Sequence, residues 1–283
     1  MSKVNMHELF AQADSEGFAI PAFNYSDVWD LLAIIEAAEE EQAPIILACH
    51  PMVIDEIPIE MCSALGKVAT EMTKTPVIHH LDHGAEYDIC KAAIDNGFPS
   101  VMVDGSALPL AGNIECSVKV VEYAHQRNVF VEGEIGKIRG GGVEGGSDDD
   151  DFLVDVTEAE TFAKESGVDS LAIGIGNAHG FYVGKPELNF KRLQEVNEAV
   201  HVPLVLHGGT GIPEADIQKA IKLGIKKINV GTNIFNTYMT TVRKELALAG
   251  DNPFTTDITV PAKNEIKKVV KKWIHTCMAN GKA

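Results

Sequence analysis

The sequence predicts an α/β fold, a parallel (β/α)8 or TIM barrel that forms a single domain over residues 1–283. Eight short, nearly continuously apolar segments alternate with segments in which apolar residues recur every three or four positions. The first pattern is typical of a strand buried on both faces, and the second of a helix packed on a sheet. Eight such alternations within about 230 residues favour a closed barrel. An open doubly wound sheet would need a glycine-rich turn after the first strand, and the segment FNYSD there has no glycine.

The predicted strands follow one another at intervals that leave room for a helix between each pair. They cover 18–23 (FAIPAF), 44–48 (PIILA), 76–81 (PVIHHL), 100–103 (SVMV), 129–133 (VFVEG), 170–175 (SLAIGI), 202–206 (VPLVL) and 227–230 (KINV). The predicted helices cover 29–41, 59–73, 86–96, 114–126, 158–166, 191–199 and 214–223. Typical helix-start residues precede three of these helices: Ser26 or Asp27, Thr157 and Pro213. A last helix, at about 264–280, is predicted from its amphipathic and basic pattern.

One segment between the fifth strand and the following helix has a different composition. Residues 140–151 read GGGVEGGSDDDD, which is too rich in glycine and charge to pack against a core. The sequence therefore predicts a mobile surface loop at about 136–152.

The charge of the chain argues against two classes of binding partner, and its cysteine content indicates its location. The chain has 24 Lys and Arg against 41 Asp and Glu, a formal net charge of −17. Such an acidic protein repels phosphate backbones and anionic lipids, so nucleic acid and membrane surfaces are not expected as partners. No apolar run of about 18 residues predicts a membrane span, and the first twenty residues lack the apolar core of a signal peptide. Five cysteines without a C-x-x-C pair favour reduced thiols and a cytoplasmic location.

Polar residues and glycines collect where the predicted strands end. Active sites of this barrel lie at the carboxyl ends of the strands, so these residues are expected to share one rim. Three histidines occur there, His83, His179 and His207. Three imidazoles with an open fourth position make a catalytic zinc site. The alternative is three separate structural histidines, each hydrogen-bonded to a nearby carbonyl group.

Carboxylates accompany these histidines. Asp82 precedes His83 and could transfer a proton beside a metal-bound carbonyl, or could instead hydrogen-bond the loop backbone. Asp104 and Glu134 could orient the ligands or hold a metal themselves, and Asp104 could equally form a turn. His79 and His80 lie inside the third strand, so one ring should point into the barrel and the other towards the helices.

The loops after the seventh and eighth strands suggest an anion site. Residues 207–211 (HGGTG) and 229–233 (NVGTN) combine glycines with threonine hydroxyls. In TIM barrels these two loops commonly bind a phosphate through backbone N–H groups. Ordinary barrel turns are the alternative interpretation.

Taken together, these segments resemble the class II, zinc-dependent ketose-bisphosphate aldolases of the fructose- and tagatose-bisphosphate type. The similarity runs from about residue 17 to residue 232 and is weaker beyond. The motifs that carry it are HLDHG (80–84), VDGS (103–106), VEGEIG (131–136), GNAHGFY (176–182), VPLVLHGGTGIP (202–213) and INVGT (228–232).

The resemblance implies reversible cleavage of a phosphorylated ketose into dihydroxyacetone phosphate and an aldehyde, in a homodimer or homotetramer. It implies that His83, His179 and His207 bind catalytic Zn²⁺ and that Asp104 and Glu134 hold a second or displaced metal. Asp82 corresponds to the acid that protonates the aldehyde oxygen during condensation, and Asn229 to a group beside the developing oxyanion. The residues that correspond to the dihydroxyacetone-phosphate site are Gly180, Gly208, Gly209, Thr210, Asn229, Val230, Gly231 and Thr232. A monovalent cation, Na⁺ or K⁺, often assists in this family.

Three positions bear on how far this correspondence extends. Glu144 corresponds to a loop glutamate that moves a proton at the ketose carbon, but the following residues depart from the family pattern, and a solvated carboxylate is the alternative. Cys49 and His50 stand where the family often has a small hydroxyl residue. Gly231 favours a tagatose-type substrate, whereas HGGTGIP resembles fructose-type enzymes.

The cues at Gly231 and HGGTGIP conflict and do not decide the stereochemistry of the substrate. Fructose 1,6-bisphosphate is the first expected substrate, with glyceraldehyde 3-phosphate as the aldehyde. Tagatose bisphosphate or another phosphorylated ketose is the first alternative. A non-catalytic partner subunit of an aldolase is a further alternative, although such a subunit would be expected to lose part of the histidine trio. A metal-dependent barrel hydrolase is disfavoured, because the first strand has no H-x-H pair.

Overall fold

Eight parallel strands close into a barrel in the computed structural model, in the order β1 to β8 around the barrel. The structure describes residues 4–136, 138, 153–182, 184 and 186–283. The strands are β1 (Ile20–Asn24), β2 (Ile45–Cys49), β3 (Val77–Gly84), β4 (Ser100–Val103), β5 (Phe130–Ile135), β6 (Ser170–Ile173), β7 (Leu204–Leu206) and β8 (Ile225–Val230). The barrel closes where β1 pairs with β8, with Ile20 opposite Lys227. The predicted (β/α)8 barrel is confirmed.

Helices alternate with the strands and cover the outside of the barrel. They are α1 (Met6–Glu16), α2 (Val28–Glu41), α3 (Pro51–Ile54), α4 (Ile59–Met72), α5 (Tyr87–Asp95), α6 (Leu110–His125), α7 (Val156–Ser166), α8 (Phe190–Ala199), α9 (Glu214–Lys222), α10 (Thr232–Leu248) and α11 (Thr255–Thr276). None of these helices is long and apolar enough to cross a membrane.

The helix boundaries follow from local chemistry. Asp27 caps α2, where its carboxylate accepts the N–H groups of Trp29 and Asp30. Gly17 and Gly167 end α1 and α7 in the left-handed conformation that glycine adopts without strain. Phe10 of α1 stacks on Phe130 at the start of β5, with ring centroids 5.4 Å apart. Helix α1 therefore covers the amino-terminal end of the barrel.

The last helix differs from its predicted bounds. Helix α11 begins at Thr255, well before residue 264, and ends at Thr276. Pro261 lies inside it, and a proline normally marks a helix boundary because it removes one backbone hydrogen bond. The predicted basic face is confirmed, since lysines of α11 pair with Glu36, Glu40 and Glu41 of α2. These lysines are Lys263, Lys267 and Lys271.

Three helices were not predicted. Helix α1 precedes the first strand and α3 is a four-residue helix after β2. Helix α10 begins directly after β8, inside the segment predicted as a loop. Only Ile234 and Thr241 of α10 are buried, so this helix lacks a strong apolar stripe. The predicted loop at about 136–152 lies almost wholly outside the described residues.

Candidate active site

Three histidines meet at the carboxyl end of the barrel. His83 lies near the end of β3, His179 in the segment after β6, and His207 directly after β7. The ring centroid of His83 lies 5.0 Å from that of His179 and 4.7 Å from that of His207. One nitrogen from each ring lies within 4.8 Å of the other two. The structure thus brings together the trio that strand-end position predicted, instead of leaving three separate histidines.

The backbone of His83 explains how its ring reaches the rim. His83 has φ of 51°, a left-handed conformation that a non-glycine residue rarely adopts. The pairing of β3 with β4 shifts register between Leu81 and Gly84 at the same place. This irregularity interrupts the strand alternation, so that the His83 ring reaches His207 while Asp82 lines the same pocket, with its Oδ1 3.9 Å from His83 Nε2. The geometry is consistent with strain held at a functional position.

Each of two histidines has a carboxylate on the nitrogen that faces away from the trio. His83 Nδ1 lies 2.8 Å from Asp104 Oδ2, and His207 Nε2 lies 2.9 Å from Glu132 Oε1. Burial lowers the pKa of His83, but the charge on Asp82 and the hydrogen bond to Asp104 outweigh burial and raise it to about 10. For His207, burial dominates and lowers the pKa to about 4, although the hydrogen bond that His207 donates to Glu132 raises the pKa. Because one nitrogen of each ring contacts a carboxylate, the other nitrogens, His83 Nε2 and His207 Nδ1, face the centre of the trio.

Asp82 is buried and held by two amides. Asn24 Nδ2 donates to Asp82 Oδ2 at 2.8 Å, and Asn229 Nδ2 donates to Asp82 Oδ1 at 2.9 Å. Burial raises the pKa of this carboxyl, but the positive charge of His83 outweighs burial and holds the pKa well below its ordinary value. Asp82 is therefore a fixed carboxylate beside the histidines. Within the described residues, its hydrogen-bond partners are side-chain amides and not the loop backbone.

Asp104 and Glu134 form a second cluster with His83. One ligand atom from each of these three residues lies within 4.8 Å of the others. Asp104 Oδ1 also accepts the backbone N–H of Ser106 at 3.1 Å, so Asp104 forms a turn as well as bonding His83. Burial and the nearby charge of Asp104 raise the pKa of Glu134 well above its ordinary value. Two carboxyls beside one imidazole are a donor set that could hold a second cation.

A pocket opens over the trio and is lined by residues from the loops after several strands. The predicted substrate residues that line it are Gly208, Thr210, Asn229, Gly231 and Thr232. The amino terminus of α10 lies at this pocket with Gly231 as its N-cap, and no side chain in the described part of the chain caps it. A helix amino terminus favours an anion, because its first N–H groups lack partners in the helix.

The structure does not place the other predicted site residues in the lining of the pocket. Gly180, Gly209 and Val230 do not line it. Gly209 donates its N–H to Asn229 O at 3.3 Å, and Val230 is a buried β8 residue. Glu144 lies outside the described residues.

His79 and His80 occupy opposite faces of β3, as predicted. His80 Nδ1 lies 2.7 Å from Ser100 Oγ of the neighbouring strand. His79 Nε2 lies 2.9 Å from the Tyr25 hydroxyl, and the His79 ring fills the space beside Gly66 of α4. Neither histidine belongs to the trio.

Sequence reasoning gave no role to two charged residues in the barrel interior. Lys227 Nζ of β8 lies 2.9 and 2.7 Å from the two carboxylate oxygens of Glu132 in β5. The signal that could have revealed them is a lysine and a glutamate within predicted buried strands, because buried charges are almost always paired.

Three uncharged or weakly basic groups were also missed. Asn24 and His50 line the pocket, and His50 Nδ1 accepts the backbone N–H of Met52 at 3.2 Å. The Tyr182 hydroxyl accepts the N–H of Ala178 at 2.8 Å and donates to Gly208 O at 3.0 Å. It thereby joins the segment that carries His179 to the loop that follows His207. No pattern in one sequence marks such tertiary contacts.

Comparison with known proteins places this site in a family. The model for class II fructose-bisphosphate aldolases matches residues 4–282. A 6-phospho-5-dehydro-2-deoxy-D-gluconate aldolase from Halalkalibacterium halodurans is 40% identical over 286 residues, which cover 100% of this chain and 99% of the relative. A fructose-bisphosphate aldolase from Staphylococcus epidermidis is 40% identical over 281 residues, or 96% of each chain. The crystal structure of the YdjI aldolase from Escherichia coli K12 superposes with a TM-score of 0.86 at 31% identity and 99% coverage of both chains. The chain is a lyase that belongs to the class II fructose-bisphosphate aldolase family.

Proposed function

We propose that the protein is a zinc-dependent aldolase that reversibly cleaves a phosphorylated ketose to dihydroxyacetone phosphate and an aldehyde. The observation that carries the proposal is the convergence of His83, His179 and His207 beside Asp82, at a pocket bordered by the amino terminus of α10. The same pocket offers a candidate metal site, a proton-transfer group and a candidate anion site.

The donor set fits zinc. Two nitrogens bound to one tetrahedral Zn²⁺ at about 2.0–2.1 Å lie about 3.3–3.4 Å apart. One nitrogen from each of the three rings lies within 4.8 Å of the other two. His83 Nε2 and His207 Nδ1 lie 2.9 Å apart, and each ring gives its other nitrogen to a carboxylate. Histidines that bind zinc commonly have such carboxylate partners. When bound, the ion would act as a Lewis acid that stabilises negative charge at the carbonyl of the dihydroxyacetone-phosphate half.

The side chains around the trio suit the proton transfer of cleavage. In that direction the hydroxyl on the future aldehyde carbon loses its proton, the carbon–carbon bond breaks, and the electron pair passes to the carbonyl-bearing half. Asp82 is a carboxylate at rest and can accept the hydroxyl proton, while Asn24 and Asn229 keep both of its oxygens in place. Among the residues that the structure describes, Asn229 Oδ1 is buried without a hydrogen-bond partner, so it can accept a substrate hydroxyl. The proton at the ketose carbon would come from Glu144.

Fructose 1,6-bisphosphate is the first candidate substrate. A second candidate, 6-phospho-5-dehydro-2-deoxy-D-gluconate, is favoured by the Halalkalibacterium halodurans relative, which is equally identical and covers more of the chain. Both sugars would release dihydroxyacetone phosphate. They differ in the aldehyde, which is glyceraldehyde 3-phosphate for the first and 3-oxopropanoate for the second.

A panel of phosphorylated ketoses tests the proposal. The purified protein is assayed for dihydroxyacetone phosphate after treatment with a chelator, and again after addition of zinc. We expect cleavage of at least one of the two candidates with zinc and a loss of activity without it. Full activity in metal-free protein would refute the zinc-dependent reaction, and a preference within the panel would identify the aldehyde half.

A further inference from the structure

Lys227, Glu132 and His207 form a continuous hydrogen-bonded chain inside the barrel. The side chains of all three residues are 0% exposed. Lys227 Nζ lies within 2.9 Å of both oxygens of Glu132, and Glu132 Oε1 lies 2.9 Å from His207 Nε2. The chain crosses the interior from β8 to β5 and ends at a histidine of the trio.

Stability alone does not account for this ion pair. Removing two charges from water is costly, and well-packed apolar residues of similar volume often replace a buried ion pair without loss of stability. In the described part of the chain, the remaining hydrogen-bond partner of the Glu132 carboxylate is Ser170 Oγ, at 3.5 Å. The contact that links the pair to the active site is therefore the bond to His207.

This bond determines which nitrogen of His207 carries the proton. A carboxylate can only accept hydrogen bonds, so His207 Nε2 must donate to Glu132. In the neutral imidazole the lone pair is then on Nδ1. His207 Nδ1 faces His83 Nε2 at 2.9 Å and the Asn229 amide nitrogen at 3.3 Å, so the lone pair points to the centre of the trio.

We propose that Lys227 and Glu132 are positioning residues that fix His207 in the Nε2–H tautomer, leaving Nδ1 as the metal-binding atom. Lys227 binds both oxygens of Glu132 and so prevents the carboxylate from rotating away from His207. The inference rests on the proposed zinc-dependent function. Lys227 and Glu132 do not line the pocket, and they would affect metal affinity through His207.

The test replaces the whole ion pair, so that neither charge is left buried and alone. The variant is Glu132→Leu with Lys227→Met, and the matched control is Lys226→Met, the neighbouring lysine of β8, which pairs with Asp14 at 2.7 Å. Zinc affinity is measured by competition with a chromophoric chelator, alongside thermal unfolding. We expect the double variant to fold and to bind zinc about 10- to 100-fold more weakly, the usual effect of losing a histidine's carboxylate partner. The control should bind zinc as the unaltered protein does. Zinc affinity that is unchanged in a folded double variant would overturn the proposal.

A second measurement needs no variant. Long-range ¹H–¹⁵N correlation spectra of metal-free protein with labelled histidine report the tautomer of each of the ten histidines. We expect His207 to carry its proton on Nε2, and a proton on Nδ1 would overturn the inference even if the double variant fails to fold. If the unaltered protein does not bind zinc at all, the proposed function fails. The tautomer measurement still tests whether Glu132 fixes the proton of His207 on Nε2.

Discussion

His83 Nε2 and His207 Nδ1 lie 2.9 Å apart, although the two residues are 124 positions apart in the sequence. Each ring bonds a carboxylate through its other nitrogen, Asp104 for His83 and Glu132 for His207. Two imidazole lone pairs that face each other at this distance repel unless a proton or a metal ion lies between them. The raised pKa of His83, about 10, is consistent with a proton there in the metal-free protein. The geometry thus favours a shared cation.

Loss of one histidine of the trio should abolish metal binding and cleavage together. His83→Ala removes a nitrogen from the shared site, and His179→Ala does the same from the segment after β6. Exposed His201 lies outside the pocket, so His201→Ala is the matched control. We expect less than one zinc per chain and no measurable cleavage in the first two variants, measured by metal analysis and by release of dihydroxyacetone phosphate. Full activity in either variant would contradict the assignment of the metal site.

Removal of the Asp82 carboxylate should separate turnover from metal binding. Asp82 bonds Asn24 and Asn229, whereas the trio itself is formed by imidazoles. Asp82→Ala should therefore keep zinc bound but lower kcat by about 10²- to 10⁴-fold, the usual scale for a general acid or base. Asp82→Asn, which keeps the shape of the side chain, should show the same loss. Normal zinc content with unchanged kcat would remove Asp82 from the mechanism.

The barrel could be predicted from the sequence because its strands are short apolar segments between punctuating residues. The segment 100–103 matches β4 in full, and the other strands lie within three residues of their predicted ends. The position of His83, His179 and His207 after such strands was enough to place them at one rim. Strand order and closure then follow from the fold and require no further information.

The residues that support the trio could not be found in this way. Glu132 and Lys227 lie on β5 and β8, and which charge pairs with which depends on the width and register of the closed barrel. Helix α10 was missed because few of its residues are buried, so its pattern carries little periodic signal. The start of α11 was missed because Pro261 lies inside the helix, where tertiary packing outweighs local preference.

Side chains added at Gly208 and Gly209 should act differently. A Cβ at Gly209 would lie 3.0 Å from Ile228 Cγ2 and 3.2 Å from the Trp273 ring, so the loop must shift slightly. Gly209→Val should raise KM for the phosphorylated substrate with little change in zinc content. A Cβ at Gly208 would lie 2.1 Å from Ala178 O, and its φ is 68°, so Gly208→Ala should disturb the His179 segment and lower zinc affinity too. Steady-state kinetics with zinc titration distinguish the two, and unaltered kinetics in Gly209→Val would show that this loop does not limit binding.

His50 should contribute to binding of the aldehyde half of the substrate. Its Nδ1 accepts the Met52 N–H, so the ring proton is on Nε2, and the residue lines the pocket beside Asn24 and Asp82. Both candidate aldehydes carry an anionic end, and a hydrogen bond to a charged group contributes about 1.5–3 kcal/mol. His50→Ala should therefore raise KM for the preferred ketose about tenfold or more, while zinc content and KM for dihydroxyacetone phosphate in the condensation direction stay unchanged. The control is Met52→Ala, whose side chain is 51% exposed and whose backbone N–H still meets His50. If both variants keep the ratio of kcat/KM for fructose 1,6-bisphosphate to that for 6-phospho-5-dehydro-2-deoxy-D-gluconate, the aldehyde half is selected elsewhere in the pocket.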